Sequence, residues 1–226
     1  MTVVELHNRL HADAIDSVRA GVTNVDRVPS NGDPRWGLSL VVLPDADVSR
    51  RLGGFAAQLA SLSPNPHMAY AEPDLHITVR SLEGYIDDVP ELVIDRYIER
   101  VEAALSGIGA IRIGLHGAYL TSTGVVACGL ADPTLAVARR RLAQDAEENG
   151  WMQVRGGDAE RIRNTAHASL MVFRDGTHRD DRLADRVDGS RDLFFGDLTV
   201  EQLALVTYSV TDSSVALRAR GTVALT

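Results

Sequence analysis

Two short segments of the sequence place a hydroxyl side chain two positions after a histidine, with apolar residues around it. They read Leu75-His76-Ile77-Thr78-Val79 and Ala166-His167-Ala168-Ser169-Leu170. On a β-strand, residues two apart point to the same face, so each histidine would lie beside its hydroxyl. An imidazole exchanges protons near neutral pH, and a hydroxyl donates to a phosphoryl oxygen. One copy is typical of a half-buried structural histidine, whereas two copies in the two halves of the chain favour a functional site.

The motif pair resembles the twin H-x-[T/S]-hydrophobic signature of the 2H phosphoesterase superfamily, which includes 2′-5′ RNA ligase-like proteins and cyclic nucleotide phosphodiesterases. The resemblance covers about residues 36–210. It implies an α+β fold of two pseudo-symmetric lobes, with antiparallel sheets around a central cleft and helices on the outside. It also implies metal-independent making or breaking of phosphodiesters, often 2′,3′-cyclic or 2′-5′ linked.

The resemblance gives the four motif residues distinct roles. His76 and His167 would be the catalytic acid and base, because cleavage of a phosphodiester needs one proton taken from water and one given to the departing oxygen. Thr78 and Ser169 would bind the non-bridging oxygens and stabilise the charge that builds there. The sequence leaves open which histidine is the acid and which is the base.

Other polar and aromatic side chains are candidates for substrate binding. Arg80 lies four residues after His76, so in an unbroken strand it would share that face and pair with phosphate; an arginine that reaches solvent is an equal alternative. Tyr119 is a candidate for stacking on a base. Arg161 and Arg163 precede the second motif and could line the cleft, but exposed salt bridges are the favoured interpretation.

Several further chemically capable side chains are expected to be structural. We expect Trp36 and Tyr208 in the core. His7 and His11 are four residues apart on a predicted helix, a spacing that can bind metal, but no third ligand is in view and both are interpreted as surface residues. Cys128 is interpreted as a small buried residue.

Hydrophobic periodicity and turn signals predict alternating helices and strands. Helices are predicted over 3–19, from an N-cap at Asp47 to about 62, and over 91–105, 133–149 and 178–188. Strands are predicted over 36–43, 75–82, 166–173, 203–210 and 214–225, with a hairpin over 111–130.

No glycine-rich fingerprint follows a strand, which disfavours a dinucleotide fold. We expect a single domain over 1–226, with an N-terminal helix and loop extension (1–35), a two-lobed catalytic core (36–210) and a C-terminal edge strand (211–226).

The charge balance argues against a partner with a long phosphate backbone. The chain has 31 acidic and 23 basic residues and a formal net charge of −8. Proteins that bind long nucleic acids usually carry a basic face, and the Arg139-Arg140-Arg141 run is interpreted as the solvated face of a helix. All basic residues are arginine, so no lysine is available for a Schiff base or a P-loop.

The same composition predicts a cytoplasmic protein. Its one cysteine cannot form an internal disulfide, and its apolar runs are too short to span a bilayer. We expect no cofactor, no metal site, no membrane contact and a monomer. The predicted function is hydrolysis of a small nucleotide or short oligonucleotide phosphodiester. The alternatives are RNA end-processing or 2′-5′ RNA ligase activity, and a non-catalytic nucleotide- or RNA-binding module.

The motif pair makes a prediction about metals. No cluster of histidine, cysteine, aspartate or glutamate with ligand spacing lies near either motif. Hydrolysis is therefore expected to persist in excess EDTA, as measured by initial rates before and after chelation. Loss of activity that returns with added zinc, manganese or magnesium would contradict a two-histidine mechanism.

Overall fold

The structure is a computed structural model that describes residues 1–33, 35–151, 162–174 and 178–226. The helices are α1 (Val3–Ala20), α2 (Ala46–Leu62), α3 (Glu91–Leu105), α4 (Pro133–Asn149) and α5 (Asp181–Asp188), with a 3-10 helix at Glu72–Asp74. The strands are β1 (Ser39–Val42), β2 (Met68–Ala69), β3 (Ile77–Ser81), β4 (Ile111–Thr121), β5 (Gly124–Ala131), β6 (Ala166–Val172), β7 (Phe194–Val200), β8 (Gln202–Val210) and β9 (Val215–Ala224). Among the described residues, no helix has the length and apolar character needed to cross a bilayer.

The described strands form a sheet in the order β7-β4-β5-β6-β3-β1-β8-β9, with β2 also paired to β6. All of these pairings are antiparallel. The order divides into two groups of four strands, with the motif strands β6 and β3 adjacent in the middle. Ile77 and Ala168 are the one registered pair across that seam. The expected α+β fold with two antiparallel lobes is confirmed.

The helix boundaries follow local capping signals. Asp132 caps α4 by accepting from the Thr134 N–H at 2.9 Å, and Gly150 ends that helix in the left-handed region, as predicted. The predicted cap of α2 was wrong. Asp45 accepts from the Val48 N–H at 2.9 Å, and Asp47 lies in the first turn. Because β1 ends before Leu43, the first aspartate after that strand already has the extended backbone that an N-cap requires.

Two strands have no counterpart among the predicted elements. In β7, Gly196 and Asp197 interrupt the apolar alternation, yet the strand pairs with β4 along its length. The backbone of Gly196 has a φ of 138°, which a side-chain-bearing residue rarely adopts. β2 has only two residues, too few for a periodic signal.

Helix α1 packs on β4 and β5 rather than standing apart from the sheet. His7 and His11 are both buried, so their interpretation as surface residues was wrong. Nδ1 of His11 accepts from the Leu120 backbone N–H at 3.1 Å, and its Nε2 donates to the Asp188 carboxylate at 3.2 Å. These two bonds fix the ring and connect α1 to β4 and to α5.

Arg139 of α4 binds the backbone on both sides of the lobe seam. Its buried guanidinium donates to the Thr78 and Val79 carbonyls of β3 at 2.8 and 3.1 Å. It also donates to the Arg163 and Thr165 carbonyls, just before β6, at 2.9 and 3.0 Å. Burial lowers the pKa of Arg139 to about 10, which still leaves it charged at neutral pH. The prediction that this arginine lies on a solvated face was therefore wrong.

We expect Arg139→Met to lower the free energy of unfolding by at least about 3 kcal/mol. Four carbonyls lose a charged donor, and each buried group left unsatisfied costs about 1–3 kcal/mol with incomplete additivity. The melting temperature should fall by about 6–12 °C for a chain of this size, measured by thermal and urea denaturation. Arg140→Met, on the exposed face of the same helix, is the control and should stay within about 0.5 kcal/mol of the parent. Equal effects of the two substitutions would contradict the role given to Arg139.

Candidate functional site

A cleft of about 340 Å³ contains both motifs. His76 and Thr78 line it from one lobe, and His167 and Ser169 line it from the other. Each histidine is separated from its hydroxyl residue by one apolar residue, Ile77 or Ala168, and both of these are fully buried in the core. The structure thus brings all four motif residues to one cleft, with their apolar neighbours behind them.

His76 is held by hydrogen bonds at both ring nitrogens. Its Nδ1 lies 2.9 Å from the Asp74 carbonyl oxygen. Because a carbonyl can only accept, Nδ1 carries the proton and Nε2 carries the lone pair. The Tyr208 hydroxyl lies 3.2 Å from Nε2 and donates to it. Burial lowers the pKa of His76, so its imidazole is neutral at neutral pH.

Tyr208 combines a core position with a place in the cleft. Its ring is buried, as predicted, but it also lines the cleft beside His76. Burial raises the pKa of the Tyr208 phenol, so the hydroxyl stays protonated and able to donate. No sequence signal indicates that this tyrosine meets a motif histidine, since the two residues are far apart in the chain.

His167 lies in a more positive environment than His76. Its Nδ1 is 3.2 Å from the Thr165 hydroxyl. Burial lowers the pKa of His167 to about 3, and the positive charge of Arg163 lowers it further. This imidazole is therefore neutral at neutral pH, and an anion bound beside it would favour its protonated form.

Arg163 lines the cleft, so the interpretation of this residue as part of an exposed salt bridge was wrong. Its positive charge contributes to the lowered pKa values of both His76 and His167. Among the residues that the structure describes, no carboxylate forms an ion pair with it. Arg161, the other arginine before the second motif, lies outside the described residues.

Arg80 does not line the cleft with His76 and Thr78. The register between β1 and β3 pairs Val41 with Thr78 but Leu40 with Arg80, so one extra residue of β3 forms a bulge. A bulge shifts the alternation of side chains beyond it. Ser81 lines the cleft in place of Arg80, which is buried. The expectation of a shared face was wrong because it assumed an unbroken strand.

Tyr119 lies beneath α1 and not at the cleft. Its ring is buried, with ring centroids 5.4 Å from His7 and 6.4 Å from His11. It packs in a small cluster with Val126 and Cys128. A base could stack on this ring only if α1 moved away, so the structure does not support the predicted stacking role.

The N-terminal segment supplies cleft residues that the motif pattern does not include. His7 comes from α1, and its Nδ1 lies 2.8 Å from the Val3 carbonyl. Asp26, Arg35 and Trp36 come from the segment after α1. Trp36 is half-buried: it packs against the core, as predicted, and it also lines the cleft. No periodic signal in the sequence marks the loop residues, because a loop has no hydrophobic repeat. The route of the loop in the tertiary structure brings them to the cleft.

Cys128 and the remaining titratable groups do not add a second chemistry. Cys128 is buried, as predicted, and burial raises its pKa to about 11, so it is a thiol and not a thiolate nucleophile. Within the described ranges, no group of three or more histidine, cysteine, aspartate or glutamate side chains has the geometry to hold a metal ion.

Comparison with solved structures identifies the architecture. A crystal structure of TT0787 of Thermus thermophilus aligns with a TM-score of 0.59 and 18% identity, covering 84% of this chain and 97% of that one. A structure of E. coli LigT complexed with 3′-AMP aligns with a TM-score of 0.59 and 16% identity, covering 84% and 98%. The chain has the LigT-type fold. No protein-family model matches it, and no curated protein sequence does so either.

Other solved structures share the LigT-type fold with similar TM-scores and similarly low sequence identity. A phosphoesterase aligns with a TM-score of 0.56 at 16% identity, covering 84% of this chain and 98% of that one. E. coli LigT complexed with ATP and with NADP+ aligns with TM-scores of 0.54 and 0.52. The fold that the resemblance of the two motifs implied is therefore confirmed.

The lowered pKa of His167 predicts how stability depends on pH. The unfolded chain binds a proton at this histidine below about pH 6.5, but the folded chain does so only near pH 3. The stabilisation from the neutral buried ring is present above pH 6.5 and is lost as the pH falls towards 3. Unfolding free energy should therefore fall on acidification, and His167→Asn should reduce the slope by up to about 1.4 kcal/mol per pH unit.

Urea denaturation between pH 7 and 4 measures this slope. Ser169→Ala alters the same strand without removing a titrating group, so it should retain the slope of the parent. A His167→Asn variant with the parental slope would show that this imidazole is not held neutral.

Proposed function

We propose that this chain is a metal-independent phosphodiesterase that acts on a small nucleotide or short oligonucleotide through a 2′,3′-cyclic or 2′-5′ linkage. The observation that carries the proposal is the convergence of His76, Thr78, His167 and Ser169 on one cleft. The LigT-type fold supports an enzyme of the phosphoesterase or ligase type. In this proposal residues 1–226 act as a single domain and as a cytoplasmic monomer.

His76 is the general base in this mechanism. The bond from Nδ1–H to the Asp74 carbonyl places the lone pair on Nε2, where it accepts from the Tyr208 hydroxyl. The lowered pKa of His76 maintains that lone pair at neutral pH. A water molecule that displaces the Tyr208 hydroxyl from Nε2 would be placed for deprotonation.

His167 is the general acid. An anionic phosphodiester beside it raises its pKa, so that it takes up a proton as the substrate binds. Arg163 and the hydroxyls of Thr78 and Ser169 bind the non-bridging oxygens and stabilise the charge that increases in the transition state. Arg163 takes the role that the motif spacing assigned to Arg80, which the β3 bulge turns away from the cleft.

The hydrolytic step then balances without a further reactant. The water oxygen forms a bond to phosphorus as its proton passes to Nε2 of His76. The bond from phosphorus to one ribose oxygen breaks, and His167 gives its proton to that oxygen. The product is a phosphomonoester, and proton exchange with solvent restores the starting protonation of the two rings.

A small nucleotide is the ligand class that the chain favours. The structures of E. coli LigT hold 3′-AMP, ATP and NADP+, which are mononucleotide or dinucleotide ligands of that protein. The formal net charge of −8 disfavours a long polyanionic partner. End-processing or 2′-5′ ligation of RNA is the second candidate, because the same base and acid would serve if a ribose 5′-hydroxyl, in place of water, attacked a 2′,3′-cyclic phosphodiester and the 3′-oxygen departed.

Substitution of the two histidines tests catalysis against simple binding. His76→Asn retains a donor towards the Asp74 carbonyl but removes Nε2, and His167→Asn does the same beside Thr165. Each is expected to lower kcat/KM by about 10²–10⁴-fold, the usual contribution of a positioned acid or base. Thr78→Ala and Ser169→Ala should act mainly on kcat, because the oxyanion contact tightens in the transition state. The substrates are 2′,3′-cyclic mononucleotides, 2′-5′ dinucleotides and cyclic oligonucleotides.

The control is His116→Asn, at an exposed position away from the cleft, which should retain the parental rate. Calorimetric binding of a nucleoside 2′-monophosphate to each variant separates lost turnover from lost affinity. Histidine variants that turn over substrate at the parental rate would refute the mechanism. Binding without turnover of any substrate by the parent, in either direction, would favour the binding-module alternative.

A further inference from the structure

The segment between α1 and β1 is bonded to both lobes and borders the cleft. We define it as the strap: residues 22–33 together with Arg35 and Trp36. At the β6 lobe, Asn24 N–H donates to the Ser122 carbonyl at 3.0 Å, and Asp26 N–H donates to the Phe173 carbonyl at 2.9 Å. At the β3 lobe, Gly32 N–H donates to the Tyr85 carbonyl at 2.9 Å. The strap therefore crosses from one lobe to the other.

Charged side chains fix this crossing. Arg35 forms ion pairs with two aspartates of the strap. Asp26 is bonded to the β6 lobe and Asp33 to the β3 lobe. Arg174, which follows β6, donates to the Asp26 carbonyl and to the Thr211 carbonyl of the opposite lobe. The guanidinium groups of Arg35 and Arg174 lie 4.7 and 5.4 Å from the centre of the Trp36 ring. Ion pairs, hydrogen bonds and cation–π contacts thus fix the strap in place along one side of the cleft.

Trp36 brings the strap close to His76. Its indole N–H donates to the Tyr70 hydroxyl at 3.4 Å, and the Tyr70 and His76 ring centroids are 5.9 Å apart. The backbone of Trp36 has a φ of 52°, which is uncommon for a residue with a side chain. Surrounding contacts must maintain such a conformation, and residues of this kind cluster at ligand sites.

Helix α1 borders the cleft beside the other motif. His7 and Leu10 of α1 line the cleft, and His7 Nδ1 lies 3.4 Å from Sγ of Cys128, the residue of β5 that pairs with His167. Two flanks of the cleft are therefore occupied, one near His76 by the strap and one near His167 by α1. The volume of the cleft, about 340 Å³, is at the low end of the roughly 300–1,000 Å³ typical of small-molecule sites.

We propose that the strap and α1 close the flanks of the cleft, so that the site accepts a terminal phosphodiester of one or two nucleotides and excludes a linkage inside a longer chain. This inference rests on the proposed function and deepens it. An internal linkage needs an exit for the strand on both sides of phosphorus, whereas a terminal one needs an exit on one side. The selected ligands are thus mononucleotide-sized cyclic phosphates and the end linkages of short oligonucleotides.

Binding of two non-cleavable probes tests this length limit. The probes are a dinucleotide and an octanucleotide of 2′-5′-linked uridine in which methylene groups replace both bridging oxygens of every linkage, so that no linkage can be hydrolysed. If the flanks were open, each of the seven linkages of the octamer could occupy the site, and this statistical factor alone would make the octamer bind about sevenfold more tightly. We expect the parent to bind the octamer no more tightly than the dimer in calorimetric titration.

Two variants open the strap by different means. Trp36→Gly removes the indole, and glycine adopts the positive φ of this position readily. Insertion of two glycines between the exposed residues Arg27 and Val28 lengthens the strap without changing a packed group. Each should increase the affinity for the octamer relative to the dimer at least about fivefold. Trp151→Gly removes a tryptophan outside the cleft and should leave the ratio at the parental value.

The outcomes separate this inference from the proposed function. Parental binding that favours the octamer about sevenfold would overturn the length limit, as would an unchanged ratio in a strap variant that melts cooperatively. Either result would leave the proposed hydrolysis intact if the substrate panel is turned over. A panel without turnover in either direction would refute the proposed function, whatever the ratio of the two affinities.

Discussion

The arrangement of the two motif strands depends on the hydrogen bonds that the Arg139 guanidinium donates to backbone carbonyls. Strands β3 and β6 share one registered pair, Ile77 with Ala168, so the ladder of backbone hydrogen bonds does not hold the seam. Arg139 supplies donors to carbonyls of both strand regions from behind the cleft. A planar, permanently charged group with five donors suits this task, and a lysine would not match its geometry. A side chain from α4 therefore connects β3 to the segment that leads into β6, next to both motif histidines.

Burial then determines the protonation of the two imidazoles. Both pKa values are lowered by desolvation and by Arg163, so the cleft contains two neutral rings beside a positive charge. This arrangement is complementary to an anion, which would offset Arg163 and allow one ring to become charged. Different partners distinguish the rings: a carbonyl fixes the tautomer of His76, whereas a hydroxyl beside His167 can either donate or accept. That asymmetry gives two similar motifs different chemical roles.

The N-terminal segment gives the cleft its shape. It lies outside the part of the chain that the motif pattern covers, but α1 packs on β4 and β5, and the strap connects the two lobes. It covers Tyr119 and brings Trp36 within reach of Tyr70. An antiparallel sheet with one face against helices leaves the other face to be covered, and here α1 covers part of that face. The uncovered part is the cleft.

The sequence alone predicted the motif pair, the α+β class and most helices, because these depend on local spacing, capping and periodicity. Residues Glu91–Leu105 and Pro133–Asn149 form helices at the predicted bounds. Only the tertiary structure decided which other residues meet the motifs. The bulge in β3 turned Arg80 away, α1 covered Tyr119, and the ends of distant segments brought Arg163 and Tyr208 to the histidines. Those outcomes depend on register and packing between elements far apart in the chain, and no periodicity within one element encodes them.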